Sequence, residues 1–225
     1  MNADATCRLM STLNSELRLH GYWRSSATYR VRIALNLKGL DYEYVPVHLV
    51  KDGGQQHSAA YREMNPQELV PTLEHQGHRL TQSLAIMEYL DEAFASTPAL
   101  LPESYAERAA VRAFAQAIAC EIAPLGNLRV MQYLKRHDMD AEAWSRHWMT
   151  TTFDALEPMV FAGGAAFAMG EEVTMADCVL VPQMYNARRF GVDLDKYPAL
   201  VAVDARCREL EAFMRAAPEQ QSDAA

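Results

Sequence analysis

The 225-residue sequence is short of several things, and each shortage removes a class of function. It has no basic excess: 21 Lys and Arg stand against 29 Asp and Glu, for a formal charge of -8. A chain this acidic is a poor partner for nucleic acid or an anionic membrane surface, so an acidic ligand must be drawn in by a local cluster of arginines. Its four cysteines, Cys7, Cys120, Cys178 and Cys207, form no CxxC and no disulfide framework, which predicts reduced thiols and a cytoplasmic protein. The seven histidines include no HxxxH or HExxH, and His75 and His78 in "HQGH" are spaced for a hairpin, so no metal site is expected. The longest weakly polar run, "MVFAGGAAFAMG", is too short and too glycine-rich to span a bilayer. "MNADATCRLM" lacks the apolar centre of a secretory leader. Residues 1–16 read as a disordered lead-in, and Met1 and Met10 are alternative starts.

Half of the residues are apolar, enough for one large domain or two small ones. "LRLHGYW" (17–23) reads as a strand. "SSATYRVRIALNLKG" follows as a helix with two overlapping apolar stripes, Ser25 or Ser26 as its N-cap and Gly39 just past its end. "YEYVPVHL" (42–49) is a second strand, so the start is a βαβ unit with parallel strands and a right-handed crossover. "KDGGQQH" is a loop, with a short helix after it. "LVPTLEH" (69–75) and "HRLTQ" (78–82) flank Gln76-Gly77 as a hairpin. "SLAIMEYLDEAF" is an amphipathic helix capped by Ser83. The order βαβ-ββα is a compact sheet with helices on both faces, expected over residues 17–94.

"ASTPALLPES" (95–104) reads as an interdomain linker. Residues 105–218 show helical patterns only: an Ala-rich helix from Tyr105, a helix opening with Thr174-x-x-Asp177 in capping-box spacing, and a last amphipathic helix over "PALVAVDARCRELEAFMRAAP". Asp177 is assigned to folding rather than chemistry. Residues 219–225 are expected to form a frayed tail.

The block "SSATYRVRIALNLKG" resembles the signature of the zeta-class glutathione transferases, Ser-Ser-Cys-x-x-Arg-Val-Arg-Ile-Ala-Leu. "KDGGQQ", "NPQELVPTL", "QSLAIMEYL", "TMADCVLVPQ" and "NARRFGVDL" match the same class in order and spacing, over about residues 17–218. The resemblance implies an α/β thioredoxin-like N-terminal domain followed by an all-α C-terminal domain, with glutathione as cofactor. It implies glutathione-dependent cis–trans isomerisation of maleylacetoacetate to fumarylacetoacetate in tyrosine and phenylalanine catabolism, with side transferase activity possible. The alternatives are maleylpyruvate isomerisation in gentisate catabolism and a non-catalytic binding protein of the same fold. A homodimer and a dicarboxylic or keto-acid substrate are also implied. One position departs from the signature: Ala27 stands where the class usually has Cys, which excludes a mechanism needing a protein thiol there.

For single residues the structural and functional readings run side by side. Ser25 and Ser26 cap a helix whether or not they bind anything. The first N–H groups of a helix are unpaired and partly positive, so a thiol placed there ionises more readily. By resemblance, Ser25 donates to the glutathione sulfur, with Ser26 and the Ala27 N–H assisting. The resemblance makes the Val70–Pro71 bond cis and lets the Val70 peptide groups pair with the cysteinyl amide. It places the γ-glutamyl carboxylate at Gln82 and Ser83, and the glycyl end at Gln56, with Gln55 and His57 as rivals. Arg24 is a surface arginine or a clamp for a substrate carboxylate. Arg188 and Arg189 are exposed helix arginines, or Arg189 binds the substrate's acid end. Asn127 and Arg129 match the place where the helical domain touches glutathione or substrate. Arg30 and Arg32 are read as surface or interdomain ion-pair residues.

Overall fold

The computed structural model describes residues 17–161 and 164–224. The expected disordered lead-in and the choice between Met1 and Met10 fall outside them. The chain divides into two compact units, Met1–Pro98 with Ala212–Ala225, and Ala99–Glu211.

The first unit is built on a four-stranded mixed sheet in the order β2-β1-β3-β4. β1 (Arg18–Gly21) leads into helix α1 (Ser26–Leu37) and then β2 (Glu43–Pro46), which pairs with β1 in parallel. Two single turns, Lys51–Gly53 and Gln55–His57, and the short helix α2 (Ala59–Met64) follow. β3 (Thr72–His75) runs antiparallel to β1, and β4 (His78–Thr81) closes a hairpin on it. Helix α3 (Ser83–Ala93) packs on α1. Leu19, Val31, Ile33, Leu35, Leu73, Ile86, Met87 and Leu90 are fully buried and form the core. Gly21 ends β1 because α1 comes back too close for a side chain: a Cβ there would lie 2.2 Å from Thr28 Cγ2.

In the second unit, α4 (Tyr105–Gln116) widens into a π-helical stretch over Ala117–Ile122 before Pro124. α5 (Leu128–Arg136), α6 (Ala141–Phe161), α7 (Met175–Arg189) and α8 (Pro198–Cys207) complete it. Eleven of the residues of α7 are buried, as for a helix enclosed by its neighbours. Its N-terminus carries the expected capping box, with the Asp177 carboxylate accepting from the Thr174 N–H at 2.8 Å and from the Ala168 N–H at 2.9 Å. Burial pushes the Asp177 carboxyl up and these hydrogen bonds oppose the shift.

Three local expectations are corrected. The last helix is two helices, α8 and α9 (Glu211–Ala216), separated by a turn at 208–210. The reason is tertiary: Asn36 Nδ2 and Arg32 Nε, both on α1, donate to the carbonyls of Ala212 and Ala216, each at 2.9 Å, and hold α9 in the first unit. The tail is not frayed through Ala224, since it forms a turn at Pro218–Gln220 and Asp223 bonds to Trp23. Arg30 and Arg32 are not surface residues. They are 2 % and 0 % exposed, because their side chains run back from α1 into the interior of the first unit.

Candidate active site

The corner from β1 into α1 is organised by the chain itself. Ser25 N–H donates to Tyr22 C=O at 3.0 Å, closing a tight turn after the strand. Ser25 is the N-cap, and its Oγ accepts from the Thr28 N–H at 3.2 Å. Capping uses the hydroxyl as acceptor, so its O–H remains a donor for a ligand. Ser26 and Ala27 open the helix, where backbone N–H groups have no acceptor within it, and both are half-buried. Arg24 is half-buried with its guanidinium 5.1 Å from the Trp23 ring centroid. The corner thus offers hydroxyl, N–H and cationic groups, which is the set an ionised sulfur needs.

The Val70–Pro71 peptide is cis. Val70 is half-buried two residues before the paired register begins at Thr72. The preceding carbonyl, Leu69 C=O, accepts from Tyr61 Oη at 2.7 Å and Asn65 Nδ2 at 2.8 Å, so this edge is anchored from α2.

Ser83 is not the N-cap of α3. Gln82 takes that position with φ of 68° and no side-chain cap, while its Nε2 donates to Gln67 Oε1 at 2.9 Å. Ser83 is the first helical residue, buried, and its Oγ accepts from Arg30 Nη1 at 3.3 Å. A helix start with no capping side chain keeps its N–H groups for an anion, and buried Arg30 adds positive charge behind it. Sequence reasoning missed Arg30 here, because an arginine within a helix gives no sign of which way it turns.

Gln56 is buried. Its Nε2 donates to Leu49 C=O at 3.3 Å and lies 3.0 Å from His57 Nε2, and His57 Nδ1 in turn meets Glu68. Gln56 Oε1 is buried without a hydrogen-bond partner among the described residues. Gly54 is required beside it, since φ is 101° and a Cβ would approach the Gln56 amide to 2.6 Å. The rivals differ in setting: Gln55 Oε1 accepts from His48 N–H at 2.8 Å, and His57 is exposed.

In the second unit, Asn127 is the N-cap of α5 and accepts from the Arg129 N–H at 3.1 Å, leaving its amide N–H₂ as a donor, and Arg129 is exposed. The two adjacent arginines of α7 part company. Arg188 is paired to fully buried Asp204, a structural role. Arg189 is exposed with its guanidinium 5.0 Å from the Phe190 ring centroid.

Residues 19–98 match the glutathione S-transferase N-terminal domain family. A probable maleylacetoacetate isomerase from Vibrio cholerae is 48 % identical, across 92 % of this chain and 98 % of that one. A solved maleylpyruvate isomerase, described as a bacterial zeta-class glutathione S-transferase in its holo form, superposes with a TM-score of 0.89. It is 45 % identical, over 92 % of this chain and all of that one. A maleylacetoacetate isomerase from Anaeromyxobacter dehalogenans, solved with glutathione in its active site, gives a TM-score of 0.84 at 44 % identity, over 93 % of this chain and 98 % of that one.

Proposed function

The chain belongs to the zeta class of the glutathione S-transferases, and from that premise we propose that it isomerises maleylacetoacetate to fumarylacetoacetate with glutathione as cofactor. The observation that carries the reading is the Ser25 corner. There a helix N-terminus, a serine hydroxyl with its proton unspent and an adjacent arginine lie together in a chain nearly half identical to a probable maleylacetoacetate isomerase. Glutathione, when bound, supplies a thiolate that adds reversibly to the conjugated double bond, so that rotation becomes easy and nothing is consumed.

The chain's own residues have three tasks in this proposal. Ser25, helped by Ser26 and the Ala27 N–H, donates to the sulfur and keeps it ionised near neutrality. Val70 offers its peptide groups to the cysteinyl amide, Gln82 and Ser83 take the γ-glutamyl carboxylate, and Gln56 faces the glycyl end. The buried, unpartnered Gln56 Oε1 and the uncapped start of α3 fit that cofactor, since both have polar capacity that the fold leaves unused. Asn127 and Arg129 add contacts from the helical domain. Arg24 and Arg189 bind the carboxylate of the substrate and balance the charge that gathers on its keto oxygen. An Ala at position 27 leaves all of this intact, because no step asks for a protein thiol there.

We further place the enzyme in aromatic amino-acid catabolism, as a cytoplasmic homodimer. The free thiols of Cys120 and Cys207 suit a reducing compartment. The test is direct: purified protein is mixed with maleylacetoacetate or maleylpyruvate and catalytic glutathione. Isomerisation of maleylacetoacetate with the free thiol conserved supports the reading. Stoichiometric loss of thiol means conjugation, and turnover of maleylpyruvate alone moves the enzyme to gentisate breakdown.

A further inference from the structure

The peptide groups on both sides of Trp23 are held by groups that the catalytic reading does not use. Trp23 N–H donates to Asp223 Oδ2 at 3.0 Å, and Trp23 C=O accepts from Arg32 Nη2 at 2.9 Å. Arg32 Nε reaches Ala216 C=O, also at 2.9 Å, and the Tyr44 hydroxyl donates to the same Asp223 oxygen at 3.4 Å. Arg32 further lies 5.3 Å from the Tyr29 ring centroid and 5.9 Å from that of Tyr44. One short C-terminal stretch therefore grips the backbone two residues before Ser25, although it lies some 200 positions away in sequence.

This arrangement is a poor device for stability alone. Arg32 Nη1, Asp223 Oδ1 and Trp23 Nε1 are all buried without a hydrogen-bond partner among the described residues. Orphaned buried donors and acceptors are costly, and apolar side chains of similar volume would fill the same space more cheaply. Burial also pulls the Arg32 guanidinium below its ordinary value, with Tyr44, Tyr42, Tyr29 and Asp223 opposing that shift. What the cluster achieves is direction: both backbone bonds of Trp23 have one geometry, and so has the turn that carries the capping serine.

We infer that Ala212–Asp223 is a positioning strap for the Tyr22–Ser26 corner, with Arg32 and Asp223 as positioning residues that aim Ser25 and the first N–H groups of α1 at the sulfur. The inference rests on the proposed function and adds a requirement to it. The strap's hydrogen bonds described above run to Trp23, Arg32, Asn36 and Tyr44, so it governs the ionisation of the bound thiol more than the affinity for the tripeptide. Arg32 also brings a buried cation behind the same corner, which favours an anion there.

The test compares Asp223→Ala with Asp223→Asn. Asparagine keeps an oxygen that accepts from the Trp23 N–H and the Tyr44 hydroxyl, and alanine keeps none. The first readout is hydrogen exchange of the peptide covering Tyr22–Thr28 in the ligand-free protein. It is expected to quicken about tenfold in Asp223→Ala, as one lost hydrogen bond implies, and to stay near the parent in Asp223→Asn. The second is the pH profile of the bound glutathione thiolate, followed by its ultraviolet absorbance. In Asp223→Ala it moves upward, kcat near neutrality falls about tenfold and KM for glutathione changes by less than about twofold, as expected for a misaimed rather than an unbound sulfur. Parental exchange and thiolate profile in Asp223→Ala overturn the inference. So does equal damage in Asp223→Asn, or a lower Tm with kcat and profile unmoved. The two readings fail separately: a parent protein that isomerises nothing but whose corner responds to Asp223→Ala sinks the proposed function. An active parent whose corner ignores the change sinks the strap.

Discussion

In the proposed function Ser25 serves two partners with one hydroxyl, and the two contributions can be separated. As N-cap it accepts from the Thr28 N–H, and loss of such a cap costs about 1 kcal/mol. As the proposed sulfur donor it would give a hydrogen bond to an anion, whose loss is worth about tenfold to a hundredfold in rate. Ser25→Ala is therefore expected to lower Tm by a few degrees and kcat/KM by far more than that instability explains, measured by calorimetry and by the isomerase assay on folded protein. Ser25→Asp, which restores the cap but repels the thiolate, should recover Tm and not activity. Arg189 belongs to the same scale. Arg189→Gln is predicted to raise KM for the keto acid about tenfold, the loss of one charge-assisted pair, with KM for glutathione unchanged. Equal changes in both constants would show that Arg189 acts on the fold instead. Neighbouring Arg188 gives a contrast, since its partner Asp204 is fully buried and the pair serves packing.

The elements place these residues by close approach. α1 lies against β1 so tightly at Gly21 that a methyl group has no room. Gly21→Ala is expected to destabilise the first unit by about 1–3 kcal/mol, as overpacking does, and to shift the serine corner with the helix, so that activity falls below what the remaining folded fraction predicts. A denaturant titration beside a single-point assay checks both. Much of this scale was legible in sequence. The βαβ-ββα order, a helix start at Ser25 or Ser26 and the capping box of Thr174 and Asp177 follow from periodicity and cap chemistry, which act over a few residues. The cap of α3 was misplaced by one residue, because Ser looks like a cap wherever it precedes an apolar run. Here Arg30 has engaged its hydroxyl from another helix.

Across the whole molecule, burial acts on tyrosines in both compact units. Burial and the hydrogen bond to Asp154 push Tyr197 up to about 12, and burial raises Tyr42, Tyr44 and Tyr61 as well. A phenol whose folded value lies above its unfolded value of about 10 adds stability that is complete below that pH and is lost as pH rises through the folded value. Stability is thus predicted to decline steadily from pH about 10 upward, well before any backbone chemistry. Tyr197→Phe should make the decline shallower when Tm is followed against pH, and an unchanged slope would dismiss Tyr197 as a contributor. Asp177 and Asp204 follow the same sign at the acid end. Burial raises both, so they take up protons more readily folded than unfolded and do not drive acid unfolding.

Sequence alone determined the class of the fold, the family and the short-range signals: where helices begin, where the chain turns, which serines sit at a helix start. These depend on neighbours within about one helical turn, and the linear order of residues records them. Tertiary structure decided which arginines turn inward, that Arg188 pairs with buried Asp204, that the last helix breaks in two, and that Asp223 returns to hold Trp23. Each of these is settled by a partner distant in the chain. A buried charge is stable only where that partner arrives, and one sequence does not record which residue it will be.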